Sequence, residues 1–545
     1  MTLFQPIEIE KQAGDSDVTP PEKGLVEELA PLPTHQSLAG SQASAKEVTI
    51  RQVAPLILVL TGANFLNTLS VQAVVILLPQ ISKDLDIPAT RQQWVVSAYA
   101  LTAGSFLLLF GKLGDVYGKR LLFILGCFWV TATALGTVFS PVEVCIYVMR
   151  ALQGLASAAT IPSAIGIIGH TIPPGRVKNY CFAFYSGGAP TGQIMGNLLG
   201  GIISQYTSWK VVLFVIAGAS FIAGAFAIFV IPKDHIKSSR EDDSSRATIV
   251  DWIGAFLFTS GTLLLLIGLS EGVSQGWGTP FVIVLLIVCV IFIACFVYWQ
   301  HYLETKSTRE PLMKVSIFLT ARFSFAMVII CLFSGGFTNF LVYSTYFYQD
   351  YKGLDPLQTT LRFLPLGIVG MISTFCSGYL LSRVGGNYII IFGLTSASIA
   401  NLLFATSIPP TTSYFAYGFP AMALTAFGAD TLYPCLGLFT TQSLPRKDQS
   451  MAGAMFQTVG SMGRAMFLPV TSAIQYSVQD RLLANGQEEK VALLQGLRSV
   501  EWFCFALMMV SLLMTVFGLR NIGKIGLLKK LGHVQSARKE TDVEA

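Results

Sequence analysis

Apolar residues fill long, nearly unbroken runs along this chain, and polar residues gather in the short stretches between them. A helix rising 1.5 Å per residue needs about 20 predominantly apolar residues to cross roughly 30 Å of hydrocarbon. The pattern predicts fourteen such helices, over residues 54–80, 92–112, 121–139, 143–168, 180–204, 211–231, 252–270, 280–299, 323–347, 359–381, 388–406, 413–438, 451–477 and 499–520. The expected fold class is an all-α polytopic membrane protein.

Composition agrees with that reading: of 545 residues 52% are apolar and only 12% charged, too hydrophobic a balance for soluble domains. Residues 1–50, rich in Pro, Ser, Glu, Asp and Gln, contain no cleavable apolar leader and read as a disordered tail. Lys and Arg are retained on the cytoplasmic side of short connections. Placing the N-terminus inside puts Lys112, Lys119, Arg120, Arg176, Lys178, Lys233, Lys237, Arg240, Arg246, Lys306, Arg309, Lys314, Arg322, Arg383, Arg446 and Lys447 there, with Arg520, Lys524, Lys529, Lys530, Arg538 and Lys539 after the last helix. The net charge of +5 is thus topology, and no nucleic-acid partner is expected. All nine cysteines fall inside apolar runs and read as packing residues; the five histidines lie in tails, loops or helix ends. Neither metal nor cofactor is expected. The sequence holds no P-loop, no HExxH and no convincing nucleophile triad, so an enzyme is not expected.

One connection is repeated. Gly111-Lys-Leu-Gly-Asp115-Val-Tyr-Gly118-Lys119-Arg120 follows the second run, and Gly378-Tyr-Leu-Leu-Ser382-Arg383-Val-Gly385 follows the tenth. The repeat implies two six-helix bundles, runs one to six and nine to fourteen, with two inserted helices between them. Repeated bundles with a midplane site between them are the architecture of alternating-access transporters. The boundaries expected are a tail 1–50, a bundle 51–232, a linker with two helices 233–321, a bundle 322–520 and a tail 521–545. Gly111, Asp115, Gly118, Lys119, Arg120 and Arg383 read as a conformational latch, glycines letting helix ends approach and Asp115 sitting among cations.

Loop 111–120 resembles the signature between spans two and three of the major facilitator superfamily. Arg150-Ala-Leu-Gln153-Gly154 resembles its span-four motif. Gly188-Ala-Pro190-Thr-Gly192-Gln-Ile-Met-Gly196-Asn-Leu-Leu-Gly200-Gly201 resembles the glycine-proline motif associated with antiporters. Fourteen runs, Trp209 opening run six and Asp251-Trp252-Ile-Gly254 opening run seven are similar to the fourteen-spanner drug:proton antiporter family of fungi. The resemblance implies the major facilitator fold and export of small organic molecules such as drugs, toxins or secondary metabolites in exchange for protons. It implies the plasma membrane, with the vacuolar membrane as alternative, and a monomer whose partners are cargo, protons and lipid. One departure is clear: where many such antiporters carry an acid in span one, this chain reads Asn64-Phe-Leu-Asn67-Thr68. Asn67 cannot exchange a proton.

Ionisable residues deep in a span are costly and so are functional candidates. Arg150, with Gln153 one turn on, can hold an anionic group or tune a carboxylate. Asp430 reads as the only carboxylate well inside a run and is the leading proton site, with Arg464 as its partner at a comparable depth. Glycines 188, 192, 196 and 200, four apart, form a ridge for close helix packing, and Pro190 breaks the backbone ladder. Leucine at Gly192 is expected to abolish transport without loss of expression. Asn64, Asn67, Gln72, Gln153, Gln193, Asn197, Asn339, Tyr343, Tyr346 and Gln457 are the candidates for a cargo pocket. A facilitator or importer of a nutrient or metal chelate, and a non-transporting sensor, remain as alternatives.

Overall fold

The computed structural model describes residues 50–520 apart from connections at 89–90, 173–175, 233–249, 308–310, 407–411 and 444–448. Both tails and the basic loop 233–249, which carry much of the charge asymmetry, lie outside the described residues. Among the described residues fourteen long helices follow one another: α1 (Ile50–Asp84), α2 (Gln93–Tyr117), α3 (Lys119–Val138), α4 (Glu143–Thr171), α5 (Arg176–Tyr206), α6 (Trp209–Val230), α7 (Trp252–Gln275), α8 (Pro280–Lys306), α9 (Ala321–Tyr346), α10 (Pro356–Arg383), α11 (Gly386–Thr406), α12 (Tyr414–Gln442), α13 (Gln449–Ala484) and α14 (Glu489–Gly518). They coincide with the fourteen apolar runs, with two extensions that matter. A π-helical turn, Phe347–Tyr351, prolongs α9, and α14 begins ten residues before the last run.

The repeat is visible in which helices touch. In the first half α1 packs on α5 and α6, α2 on α4, and α3 on α4 and α6. In the second, α9 packs on α13 and α14, α10 on α12, and α11 on α12 and α14. Every pair recurs eight helices later, because the inserted α7 and α8 pair with each other. Across the two bundles α2 meets α13 and α5 meets α10, again one relation repeated. This is the major facilitator architecture of two six-helix bundles plus two inserted helices.

Hydrocarbon as solvent explains which helices are most apolar. Eleven are long and apolar enough to cross a bilayer on composition alone; among the described residues α5, α10 and α13 fall short, and each of those three packs across the bundle interface. At the other extreme only 17% of the most apolar stretch of α8 is covered by protein, so its Ile283, Ile287, Val290 and Ile291 face lipid. An apolar face turned to lipid needs no further partner, and backbone groups there are satisfied within the helix.

Calling the end at which α1 begins the near end, the bundles are sealed against each other at the far end. One continuous cluster there joins Leu69, Ile76 and Leu78 of α1 to Phe340, Tyr343 and Phe347 of α9 and Leu497 of α14. Gln349 donates to the Ile76 carbonyl at 3.1 Å and Thr360 to the Asn197 carbonyl at 2.8 Å. At the near end Val53, Leu60, Phe123 and Ala227 form a core confined to the first bundle.

The inserted pair is anchored by Asp251. Its carboxylate caps α7 through the Gly254 amide at 2.8 Å and accepts from Trp299 at 3.0 Å and Gln300 at 2.6 Å on α8. α7 in turn hydrogen-bonds α2, Thr262 to Ser105 at 2.8 Å and Gln93 to Ser270 at 3.2 Å. Asp251→Ala removes a helix cap and two side-chain bonds together. It is expected to cost about 1–3 kcal/mol, read as earlier heat-induced aggregation of the detergent-purified protein than wild type shows.

Candidate functional site

The first bundle holds a connected network of polar residues around α4. Along α4, Arg150, Gln153, Ser157 and Thr160 recur at intervals of three and four, which places them on one face of the helix. That face meets α1 and α2. Arg150, 1% exposed, donates from Nε to the Val95 carbonyl at 3.1 Å and from one terminal nitrogen to Gln153 at 2.6 Å. Gln153 donates to Ser70 of α1 at 3.0 Å. The guanidinium stands 4.9 Å from the ring centre of Tyr99 of α2, a cation–π arrangement. Tyr99 bonds Ser157, Ser157 donates to Asn67 at 2.7 Å, and Asn67 donates to Thr160 at 3.1 Å.

Close backbone approach makes this possible. A Cβ on Gly154 would collide with the Tyr99 carbonyl and the Thr102 hydroxyl, so only glycine lets α4 lie this near to α2. One group in the network is left over: the second terminal nitrogen of Arg150 is buried with no hydrogen-bond partner. A permanent charge with an unused donor deep in a bundle is poised to hold an acceptor.

Arg464, on α13 of the other bundle, acts electrostatically on the same Tyr99 and donates to Ser461 on its own helix at 2.6 Å. Thus Arg150 and Arg464, expected in separate roles, converge on one tyrosine at the α2–α13 contact, where Gly104 meets Ser461. The pairing of Arg464 with Asp430 is not found. α12 turns Asp430 toward α10, its Oδ2 lying against Gly370, whereas α13 carries Arg464 toward α2. Equal depth did not imply a shared face.

The glycine ridge also has a definite neighbour. Substituent carbons on Gly188, Gly192, Gly196 and Gly200 would meet the carbonyls of Thr61, Phe65, Leu69 and Ala73 on α1, four against four. The ridge therefore packs inside the first bundle, and Gly201 alone of this stretch faces α10 at Thr360. Pro190 lies within α5 as expected.

The latch residues are satisfied locally. Asp115 at the end of α2 pairs with Lys119 at the start of α3 at 3.0 Å across the break at Gly118, and the stem of Lys119 lies over Gly166 of α4. Arg120 donates to the carbonyls of Ile231 and Ile228 at 2.9 and 2.6 Å, capping the end of α6. Gly118 links α2 to α3 at a φ of 106°, a conformation that disfavours a side chain. A Cβ on Gly111 would make only ordinary contact with Pro162, and Arg383 is exposed at the end of α10.

The ten pocket candidates do not share one wall. Asn67 and Gln153 belong to the network; Asn64 donates to the Tyr185 carbonyl at 2.9 Å between α1 and α5. Gln72 is buried with its amide nitrogen unpartnered, and Asn197, with Gln193 half-buried before it, lies where α5 meets α10. Asn339 and Tyr343 are buried inside the second bundle, bonded to Thr471 at 2.7 Å and Ser472 at 3.3 Å of α13; Tyr346 stacks edge-on against Tyr343. Gln457 is half-buried on α13. Interior packing of the second bundle claims the last group, since α9 lies between α13 and α14.

One ionisable residue escaped the sequence reading. Glu501 is 3% exposed and neither carboxylate oxygen has a hydrogen-bond partner, so Asp430 is not the only carboxylate deep in a span. It was hidden because the last apolar run starts at 499, whereas the helix starts at Glu489 and carries Glu501 well inside. Tyr99, Ser157 and Ser70 were also missed, although the three-and-four spacing along α4 was a readable signal.

The sequence pattern of the Major Facilitator Superfamily matches residues 60–468. The chain belongs to this superfamily. Among its relatives are the low affinity ammonium transporter of Saccharomyces cerevisiae, 29% identical over 72% of this chain and 75% of that one. The efflux pump terJ of Aspergillus terreus is 27% identical over 85% and 87%. The major facilitator superfamily multidrug transporter mdr3 of Aspergillus fumigatus is 27% identical over 76% and 69%. In fold, a bacterial homologue of the lysosomal transporter Spinster, crystallised inward-facing and unoccupied, matches 88% of this chain and 98% of its own with a TM-score of 0.60 at 13% identity. The POT family transporter PepTSo matches 87% and 99% with a TM-score of 0.61 at 14% identity. The protein is a multi-pass membrane transporter of the major facilitator superfamily, and its relatives include fungal drug transporters.

Proposed function

We propose that this transporter exports small organic molecules in exchange for protons, with both termini in the cytoplasm. The observation that carries the reading is the Arg150 network. It ties α1, α2 and α4 together around a buried, partly unused guanidinium and meets Arg464 of the opposite bundle at Tyr99. An electropositive interface of this kind attracts an anionic group of cargo, or a carboxylate whose charge changes as the bundles rock. Asp430 against Gly370 supplies a carboxylate where α12 meets α10. Fungal relatives named as an efflux pump and a multidrug transporter support export.

A second reading, uptake of a small nutrient, is favoured by the relative named as an ammonium transporter and by Asn67, whose amide donates one bond and accepts one but carries no exchangeable proton. One experiment separates the two. Deletion and overexpressing cells are loaded with a panel of fluorescent drugs and, in parallel, with radiolabelled methylammonium, with and without an uncoupler. Export predicts lower drug retention on overexpression, abolished by the uncoupler. Asp430→Asn is expected to remove the dependence of that efflux on external pH; an unchanged dependence excludes Asp430 as the coupling carboxylate. Faster methylammonium entry with unaltered drug retention overturns the export reading.

A further inference from the structure

The second bundle contains a buried acid that the Arg150 network does not use. Glu501 of α14 borders a cavity of about 10 Å³, the size of one water molecule, walled by Tyr343, Phe347, Phe404, Leu494, Leu497 and Arg498. Its two oxygens lack donors, although nearly every buried polar atom in a native protein finds a partner. A carboxylate in this condition is stabilised by whatever neutralises it, and the cavity admits nothing larger than a water carrying a proton.

Its surroundings are specific. On its own helix Arg498 stands one turn before it and Cys504, fully buried, almost one turn after. From α9 comes Tyr343, whose hydroxyl meets Ser472 of α13 at 3.3 Å, with Tyr476 of α13 close enough to interact with it electrostatically. α11 contributes the ring of Phe404. With Arg498 on the wall, a metal or organic cation is repelled, whereas a proton joins the carboxylate itself. Phe347, on the cavity wall, opens the π-helical turn whose Gln349 makes the far-end seal to Ile76 of α1, so the cavity and the contact between the bundles share one turn of chain. Single π-turns are rare and gather at functional positions.

We propose that Glu501 is a proton-binding site of the second bundle, filled from the far side through the water-sized cavity and emptied as the far-end seal opens and closes. One proton passes from a hydronium ion in the cavity to the carboxylate, giving the neutral acid and leaving a water molecule, and it leaves when a water in the cavity takes it back as hydronium. This deepens the proton-exchange reading above, yet its test does not depend on knowing the cargo.

The full-length protein is reconstituted in lipid nanodiscs and its infrared difference spectrum recorded between alkaline and acidic buffer. The expected result is a carbonyl band from a newly protonated carboxyl that is lost in Glu501→Gln, displaced in Glu501→Asp and kept in Asp430→Asn. A band unchanged in Glu501→Gln overturns the proposal; should that variant fail to fold, an undisplaced band in Glu501→Asp does the same. A band lost in Glu501→Gln alongside efflux that ignores the uncoupler keeps the site and removes proton-driven export. Uncoupler-sensitive efflux with an unchanged band does the reverse.

Discussion

Arg150→Lys is expected to leave the protein folded and in the membrane while lowering transport by about ten- to a hundredfold. Lysine keeps the positive charge, so topology and the gross field around Tyr99 survive. What it loses is the planar fork: Arg150 reaches the Val95 carbonyl and Gln153 at once and still presents a third nitrogen with no partner. A single ammonium at the end of a flexible chain cannot hold both acceptors and a third in one geometry. A charge-assisted hydrogen bond is worth about 1.5–3 kcal/mol, and losing one that acts only as the bundles rock slows the rate by the factor stated. Transport rate at matched surface expression is the measurement. Full activity in the lysine variant would reduce Arg150 to a structural anchor whose charge alone matters.

How much of this was readable beforehand depends on which physical constraint wrote it into the chain. Bilayer thickness imposes a length and a composition on every span, and so the fourteen helices stand out even where α5 and α13 are only moderately apolar. The duplicated loop after α2 and α10 discloses the doubled bundle because two copies of one fold repeat their turn chemistry. Which face of a helix a residue occupies is weaker information. In a span hydrophobic all round, the apolar pattern gives no bearing, and so Asp430 and Arg464, similar in depth, were paired although they point to different neighbours. Glu501 failed for another reason: the apolar run from 499 marks where lipid begins, not where the helix begins, so Glu501 stood at the edge of a run and not inside a helix. The ten residues of α14 before 499 are helical because they pack in the far-end cluster, with Leu494 and Leu497 buried there. Tertiary burial, invisible to a hydropathy window, decides that boundary.

The largest stability effect is expected at Gly192, and it revises what substitution there would do. If the ridge on α5 slid along another bundle, a bulky residue would block motion and spare expression. Instead the position where its Cβ would stand falls on the Phe65 carbonyl of α1, and a Cβ on its neighbours Gly188 and Gly196 would stand 2.8 and 2.6 Å from the Thr61 and Leu69 carbonyls. Backbone cannot yield as a flexible side chain can, so even one methyl group must push two helices of the same bundle apart. Gly192→Ala is therefore expected to cost about 1–3 kcal/mol, and Gly192→Leu to prevent assembly of the first bundle. The same helix contains its own control: a Cβ on Gly187 meets nothing within 4 Å. Fluorescence-detected size exclusion of tagged protein after a heat step should rank wild type and Gly187→Ala together, Gly192→Ala clearly below them, and Gly192→Leu as aggregate or absent. Monodisperse, inactive Gly192→Leu would instead show that α1 and α5 separate and rejoin in the cycle, and that the ridge is a sliding surface after all.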